Sequence, residues 1–279
     1  MTRFEAFVAR KENEAMRAAL RPLRTRLDAP PSDAVRIGND WTRRLFDGDF
    51  YVSEPRGPLP STSLVFVQSK DGNTGAPNPM ALGGGELDLH VVYEGLSRVA
   101  ADGVLGGAQT VRGGNIVFSV WHPQLVALRA ALGLPRHPIQ IVATLRGLPF
   151  DDALIFNVPE LRVVLLTIPS WVALLHAPLS ERPWITPVVM RTPDDLPSAF
   201  ERLRELGIQR ISCVGGRTLA GQLIDTGVVD DVYLTTSAKP GGEPNTPLYR
   251  RPLGGRVVVQ KDGTGADAGV RFEHVRLRS

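Results

Sequence analysis

Two turns in the sequence combine the residue types that bind phosphate groups. In each turn a short apolar segment ends in a pair of glycines, and a hydroxyl residue and an arginine follow where a helix is predicted to begin. The turns are GGAQTVR at residues 106–112 and GGRTL at residues 215–219. Glycines let a ligand approach the backbone closely, and the free N–H groups at a helix N-terminus attract anions. Both turns are therefore interpreted as phosphate-binding sites, the alternative being a tight strand-to-helix connection without a ligand.

Polar residues also follow two other predicted strands. Thr144 ends the apolar segment 139–144, with Arg146 two residues later, and Thr167 ends the segment 161–167. Ligands of open α/β sheets bind outside the carboxyl ends of the strands, where the two glycine turns would lie as well. These residues either extend the phosphate site or are ordinary solvated strand ends. The glycine spacing matches neither the G-x-G-x-x-G fingerprint nor a Walker loop, so neither motif supports the assignment.

A third group of residues with chemical potential is Ser69-Lys70-Asp71-Gly72, at the end of a predicted strand over residues 63–69. It places a hydroxyl, an amine and a carboxylate together, although Asp-Gly is also a common turn sequence. The five histidines have no metal-ligand spacing, and the single cysteine, Cys213, lies in an apolar strand and is expected to be buried. The sequence therefore predicts no metal site.

An α/β framework is needed to bring these residues together. Of the 279 residues, 43% are hydrophobic, which is enough for a sizeable core. From residue 61 onward, apolar segments alternate with helical patterns, as in a largely parallel sheet flanked by helices, and two last strands form an antiparallel hairpin. Residues 1–60 are interpreted as an N-terminal helix over 3–20 and a proline-rich extended arm. The chain is thus predicted to contain one domain, 61–279, preceded by an extension.

Composition also limits the expected partners and location. One cysteine cannot form an internal disulfide, the longest apolar stretch, 163–175, is too short to cross a bilayer, and the N-terminus lacks the apolar core of a signal peptide. We therefore expect a cytoplasmic protein without a membrane segment. The net charge of +3 is the small difference between 32 basic and 29 acidic residues. No nucleic-acid partner is predicted, despite a pI near 9.3.

The motifs, taken in order, resemble those of the reductase domain of riboflavin biosynthesis, a family with the dihydrofolate-reductase-like fold. Its members carry Ser-Leu-Asp-Gly after the first strand, Ala-Asp-Ala-x-x-x-Gly-x-x-Thr, Gly-Gly-x-x-Leu, Gly-Leu-Val-Asp-Glu and a Pro-x-x-x-Gly-x-x-x-Pro-Leu-Phe loop. The corresponding segments here are SKDG (69–72), ADGVLGGAQT (101–110), GGRTL (215–219), GVVDD (227–231) and the loop from PGG (240–242) to PLY (247–249). The similarity covers residues 61–279.

The resemblance implies an NADPH-dependent reductase, commonly a homodimer, that opens and reduces the ribose of a small-molecule substrate, a phosphoribosyl-aminopyrimidine. In such a fold the cofactor performs the hydride chemistry and the protein orients it. Asp71 and Ser69 are then the expected catalytic residues, in a turn that faces the nicotinamide. The residues expected to hold NADPH are Gly107, Thr110, Arg112, Thr144, Arg146, Thr167, Gly215, Gly216, Arg217, Thr218 and Leu219.

Two positions depart from the family pattern on the substrate side. Family members usually place a lysine four residues before the serine and a glutamate just before the Gly-Gly pair, whereas this chain has Val65 and Val214. This departure favours one alternative, an NADPH reductase of the same fold with another small substrate. A second alternative, from another class, is a nucleotide-binding protein without catalysis.

Overall fold

A ten-stranded mixed sheet forms the centre of the protein, as seen in a computed structural model that describes residues 1–112, 114–192 and 195–277. A separate pair of strands, β2 (Val35–Ile37) and β3 (Phe50–Val52), forms a small two-stranded antiparallel sheet. The strands are β1 (Arg24–Asp28), β2 (Val35–Ile37), β3 (Phe50–Val52), β4 (Ser61–Gln68), β5 (Gly103–Gly107), β6 (Ile139–Ala143), β7 (Val163–Thr167), β8 (Ile185–Val189), β9 (Arg210–Cys213), β10 (Asp231–Thr236), β11 (Arg256–Asp262) and β12 (Arg271–Arg276).

The helices lie mainly in the connections between these strands. They are α1 (Arg3–Arg17), α2 (Asp40–Phe46), α3 (Gly85–Leu87), α4 (Ala108–Val111), α5 (Pro123–Ala131), α6 (Pro169–Leu174), α7 (His176–Ser180), α8 (Leu196–Glu205) and α9 (Arg217–Asp225). Helix α3 continues directly into a π-helix, Asp88–Leu96. Short 3₁₀ turns are formed by Pro79–Leu82, Leu154–Phe156 and Gly265–Asp267. Among the described residues, no helix is both long and apolar enough to cross a membrane.

The strand order is β1-β11-β12-β10-β4-β9-β5-β6-β7-β8. From β10 to β8 all neighbours are parallel, whereas β12, β11 and β1 add antiparallel strands beyond β10. This architecture confirms the predicted mostly parallel sheet with a C-terminal antiparallel hairpin. Because the parallel strands all end on one side, their last residues share a single edge, here called the carboxyl edge.

Each face of the sheet has its own apolar layer. On one face Val65, Tyr233 and Phe272 pack with α2 and the π-helix. On the other, Leu64 and Val232 pack with α8 and α9. Consecutive strand residues face opposite layers, as the two-residue period of a strand requires. Both faces of the parallel strands are buried, which explains why their sequences are continuously apolar.

The first 60 residues contribute to the sheet as well as covering it. Strand β1 pairs antiparallel with β11 at the sheet's edge, with Thr25 opposite Lys261. Helix α1 docks through Phe7, whose ring meets that of Trp121 edge-on at 5.5 Å. The helix was predicted, whereas β1 was not. The division of the chain at residue 60 stays a prediction.

Candidate active site at the carboxyl edge

The two glycine turns lie next to each other at the carboxyl edge. Their strands, β5 and β9, are parallel neighbours, and the Val214 N–H donates to the Leu105 carbonyl over 2.9 Å. A Cβ atom on Gly107 would lie 4.0 Å from the carbonyl oxygen of Gly215, and one on Gly215 would lie 3.9 Å from the Thr110 hydroxyl. Two turns predicted separately from the sequence thus lie side by side at this edge. We call this pair of turns the glycine cradle and define it by Gly107, Thr110, Gly215 and Gly216.

The local backbone explains why glycines stand here. Gly215 has a φ of +139°, a conformation that side-chain-bearing residues rarely adopt. A Cβ on Gly106 would lie 2.8 Å from the ring of Phe118, so that glycine is required by packing. By contrast, a Cβ on Gly216 would meet no atom within 4 Å. The space beside Gly216 is therefore open to a ligand.

Helix α9 points its N-terminus at the cradle. Its N-cap is Gly216, which has no side chain to occupy the free N–H groups of the first turn. Thr218 and Arg217 are exposed there, and the Arg217 guanidinium lies 3.8 Å from Glu243. The backbone N–H groups and the helix dipole of α9 can therefore bind an anionic group, and the Arg217 guanidinium can pair with the same anion.

The neighbouring strand ends carry the other predicted residues. Thr144 is buried, and its N–H donates to the Leu166 carbonyl over 2.9 Å. Thr167 is fully buried, and its hydroxyl has no hydrogen-bond partner, which is unusual for a buried polar group. Arg112 and Arg146 are exposed. The structure therefore brings all of the predicted cofactor residues to the same edge of the sheet.

The Ser69–Asp71 turn follows β4 on the other side of β9. Ser69 is buried, and its hydroxyl accepts from the Asn73 N–H over 3.3 Å. Asp71 is exposed, and its carboxylate accepts from the Gly241 N–H over 2.9 Å. The Asn73 amide donates to the Gly241 carbonyl over 3.1 Å. The turn is thus fastened to the loop 239–246, and Asp71 holds that loop whatever else it does.

A buried carboxyl group that the sequence did not reveal lies close to this turn. Asp88 begins the π-helix and is 9% exposed. Burial raises the pKa of Asp88 to about 6, opposed by a smaller lowering from the neighbouring Thr235 hydroxyl. Neither Asp88 Oδ1 nor that hydroxyl has a hydrogen bond of good geometry. A carboxyl group with such a pKa is suited to proton transfer near neutral pH.

The loop before α3 covers this carboxyl group. A Cβ on Gly84 would lie 2.8 Å from Asp88 Oδ2, and one on Gly83 would lie 2.7 Å from the hydroxyl of Ser237, which follows β10. Asp88 therefore lies beneath the carboxyl edge near β10. The sequence signal that could have revealed this buried carboxyl group is an aspartate within the apolar stretch 87–92.

The two departures from the family pattern are buried apolar residues. Val65 and Val214 are 3% and 8% exposed and belong to the same apolar layer as the π-helix. Apolar surface therefore replaces the amine and carboxylate that the resemblance predicts at these positions.

Two acidic residues of the matching motifs lie at the opposite edge. The Asp102 carboxylate accepts from the N–H groups of Gln209 and Arg210 over 2.9 and 2.8 Å. The Asp230 carboxylate accepts from the Thr62 N–H over 2.8 Å. Both acids fix the starts of neighbouring strands, so these two carboxylates serve the sheet and not the ligand.

Comparison with known families and folds supports the sequence-based resemblance. The model of the RibD C-terminal domain family matches residues 60–266. A pyrimidine reductase-like protein from Corynebacterium diphtheriae has a similar structure, with a TM-score of 0.62 and 19% identity over 79% of this chain and 92% of that one. The riboflavin biosynthesis reductase of Saccharomyces cerevisiae gives 0.53 and 17%, over 80% and 92%.

A third similar structure is the bifunctional diaminohydroxyphosphoribosylaminopyrimidine deaminase/5-amino-6-(5-phosphoribosylamino)uracil reductase of Thermotoga maritima. It gives a TM-score of 0.53 and 18% identity over 78% of this chain, which spans 56% of that protein. At such identities the likeness concerns the fold, and it confirms the predicted dihydrofolate-reductase-like architecture. No curated protein sequence gives a significant match.

Proposed function

The chain belongs to the RibD C-terminal domain family, and from that membership we propose that it is an NADPH-dependent reductase of the riboflavin-biosynthesis type. The proposed substrate is 5-amino-6-(5-phosphoribosylamino)uracil, whose ribose would be opened and reduced to a ribityl chain. The observation that carries the proposal is the glycine cradle at the carboxyl edge, with its two open glycines and the N-terminus of α9.

The residues at this edge fit a dinucleotide. The cradle offers unfilled space beside Gly107 and Gly216, and the buried Thr167 hydroxyl lacks a partner within the chain. We assign the pyrophosphate to the cradle and the adenosine end to Thr144, Arg146 and Thr167. Bound NADPH would supply the hydride. The exposed arginines 112, 146 and 217 would pair with its phosphate groups, for which guanidinium geometry is well suited.

On the substrate side the chain's own residues would orient the sugar and handle a proton. Ser69 and Asp71 lie in the turn next to the cradle, and Asp88 lies below the loop 83–84. Buried Val65 and Val214 favour one alternative, a reductase of the same fold acting on a different small substrate. Calorimetric titration with NADPH and NADH tests the shared premise, because failure to bind either would remove every reductase assignment.

We predict that replacing Asp71 lowers kcat about 100-fold, the usual scale for a group that handles a proton or orients the reacting sugar. Asp71→Ala also removes the acceptor for the Gly241 N–H, whereas Asp71→Asn retains an acceptor oxygen in the same place. Steady-state kinetics of both variants should show the loss in each. Asp151→Ala, which removes an exposed carboxylate beside Arg182, is the control. An Asp71→Asn variant with wild-type kcat would limit Asp71 to holding the loop.

A further inference from the structure

A concave surface lies at the carboxyl edge, beyond the last parallel strand. It is an open groove of about 730 Å³ between β1, the β11–β12 turn, and the segment that follows β10. Four cationic side chains and one carboxylate line it. We call it the basic groove and define it by Arg24, Arg26, Lys70, Arg271 and Asp262.

The positive charge of the groove is only partly compensated. Arg26 Nε lies 2.6 Å from the Asp262 carboxylate, and Arg271 Nε lies 3.8 Å from its other oxygen. Within the part of the chain that the structure describes, Arg24 and Lys70 form no ion pair. Two cations therefore remain available in a concave surface, where the low-dielectric walls strengthen the attraction for anions.

The groove adjoins the turn assigned to the substrate. The Lys70 N–H donates to the Lys239 carbonyl over 2.8 Å, and the Ser237 N–H donates to the Gln68 carbonyl over 2.8 Å. Ser237 lines the groove, while Gln68 directly precedes Ser69. Lys70, the middle residue of the Ser69–Asp71 turn, itself lines the groove, so the turn forms part of the groove's wall.

Most of the charge in the groove comes from outside the family match. Arg24, Arg26 and Arg271 lie beyond residues 60–266. Two of these arginines belong to β1, which reaches the groove because it pairs with β11 at the sheet's edge. The N-terminal segment therefore adds cations to the end of the sheet where the substrate is expected.

We propose that the basic groove binds the phosphate group of a phosphorylated sugar, which in the proposed function is the 5-phosphate of the substrate's ribose. Arginine forks match phosphate oxygens bidentately, and Lys70 adds a point charge from within the Ser69–Asp71 turn. The inference rests on the proposed function for the identity of the sugar phosphate. The phosphate group assigned to the groove is a part of the substrate that does not react.

The test uses the whole 279-residue chain and ribose 5-phosphate as the probe. Calorimetric titration should show binding of ribose 5-phosphate to the wild type, and the Arg24→Ala/Arg271→Ala double variant should bind it at least tenfold more weakly. Both arginines are exposed, so the fold should persist. Arg256→Ala is the matched control, because Arg256 is exposed at the opposite end of β11. Ribose without phosphate should not bind detectably.

Three results would overturn the proposal. These are a wild type that does not bind ribose 5-phosphate, a double variant with unchanged affinity for it, and a double variant that loses affinity for NADPH to the same extent. The last would assign the groove to the cofactor's phosphates. A protein that binds ribose 5-phosphate in the groove but binds neither NADPH nor NADH would refute the reductase function alone, so the two failures are distinguishable.

Discussion

Replacing Gly107 by valine is expected to lower the affinity for NADPH about 100-fold, or ~2.7 kcal/mol, while leaving the fold intact. Gly107 ends β5 with an extended backbone, φ −78° and ψ 159°, which valine adopts readily. The nearest atom to an added Cβ is the Gly215 carbonyl oxygen at 4.0 Å, an ordinary contact. The Cβ of valine would therefore fit without displacing a protein atom, and we expect its two methyl groups to take up space in the cradle.

Fluorescence or calorimetric titration of the Gly107→Val variant with NADPH measures this loss, and thermal unfolding checks the fold. Gly221→Ala serves as the control, because a Cβ there meets no atom within 4 Å and the residue lies within α9, beyond its first turn. Its NADPH affinity should equal that of the wild type. A Gly107→Val protein that is folded and binds NADPH as tightly as the wild type would place the cofactor elsewhere.

Removing the Asp231 carboxylate is expected to destabilise the protein by about 3–5 kcal/mol, the usual cost of breaking a buried ion pair by removing one partner. Asp231 is 1% exposed. Its Oδ1 lies 2.7 Å from His274 Nε2, and its Oδ2 accepts from Arg276 over 3.1 Å. The Ser53 hydroxyl donates to the same carboxylate. Without Asp231, these buried groups of β12 and of the N-terminal segment lose their shared partner.

The pH dependence of this effect has a definite sign. Burial acts to raise the pKa of Asp231, but the hydrogen bond and charge of His274, then the charge of Arg276, together lower it below its ordinary value. The carboxylate therefore contributes its full stabilisation above the unfolded-state pKa of about 4, and loses it as the pH falls through the lowered pKa. The difference between wild type and variant should accordingly be large at neutral pH and shrink under acid conditions.

Urea unfolding of Asp231→Ala at neutral pH and in acid measures both effects. Asp225→Ala is the control, because that carboxylate contacts Arg250 and Arg251 at the surface, where ion pairs contribute little. If the Asp231→Ala variant were as stable at neutral pH as the Asp225→Ala control, the buried cluster would not stabilise the sheet.

The candidate site could be largely predicted from the sequence because its signals are local. A glycine pair after an apolar strand and before a helix marks a turn wherever it occurs, and parallel strands bring such turns to one edge. The turns at Gly107 and Gly215 therefore meet, although more than 100 residues separate them. Each glycine turn could be recognised from its own short segment. The rule that parallel strands end at the same edge then placed the two turns together.

Features that depend on long-range pairing could not be predicted in this way. Strand β1 joins the sheet only through β11, with Thr25 opposite Lys261, and nothing in its RTRLD sequence specifies that partner. The basic groove was missed for the same reason, since its cations come from distant segments. Asp88 was missed because an acid on an apolar helix normally faces solvent, whereas here the preceding glycine loop covers it.

In the proposed function, this edge of the sheet holds NADPH for hydride transfer to a phosphoribosyl-aminopyrimidine. The most direct test supplies the protein with NADPH carrying deuterium on its hydride-donating carbon together with 5-amino-6-(5-phosphoribosylamino)uracil, and analyses the products by mass spectrometry. We expect a ribityl product that contains the deuterium. Unreduced substrate and unconsumed NADPH, with a folded protein present, would contradict it.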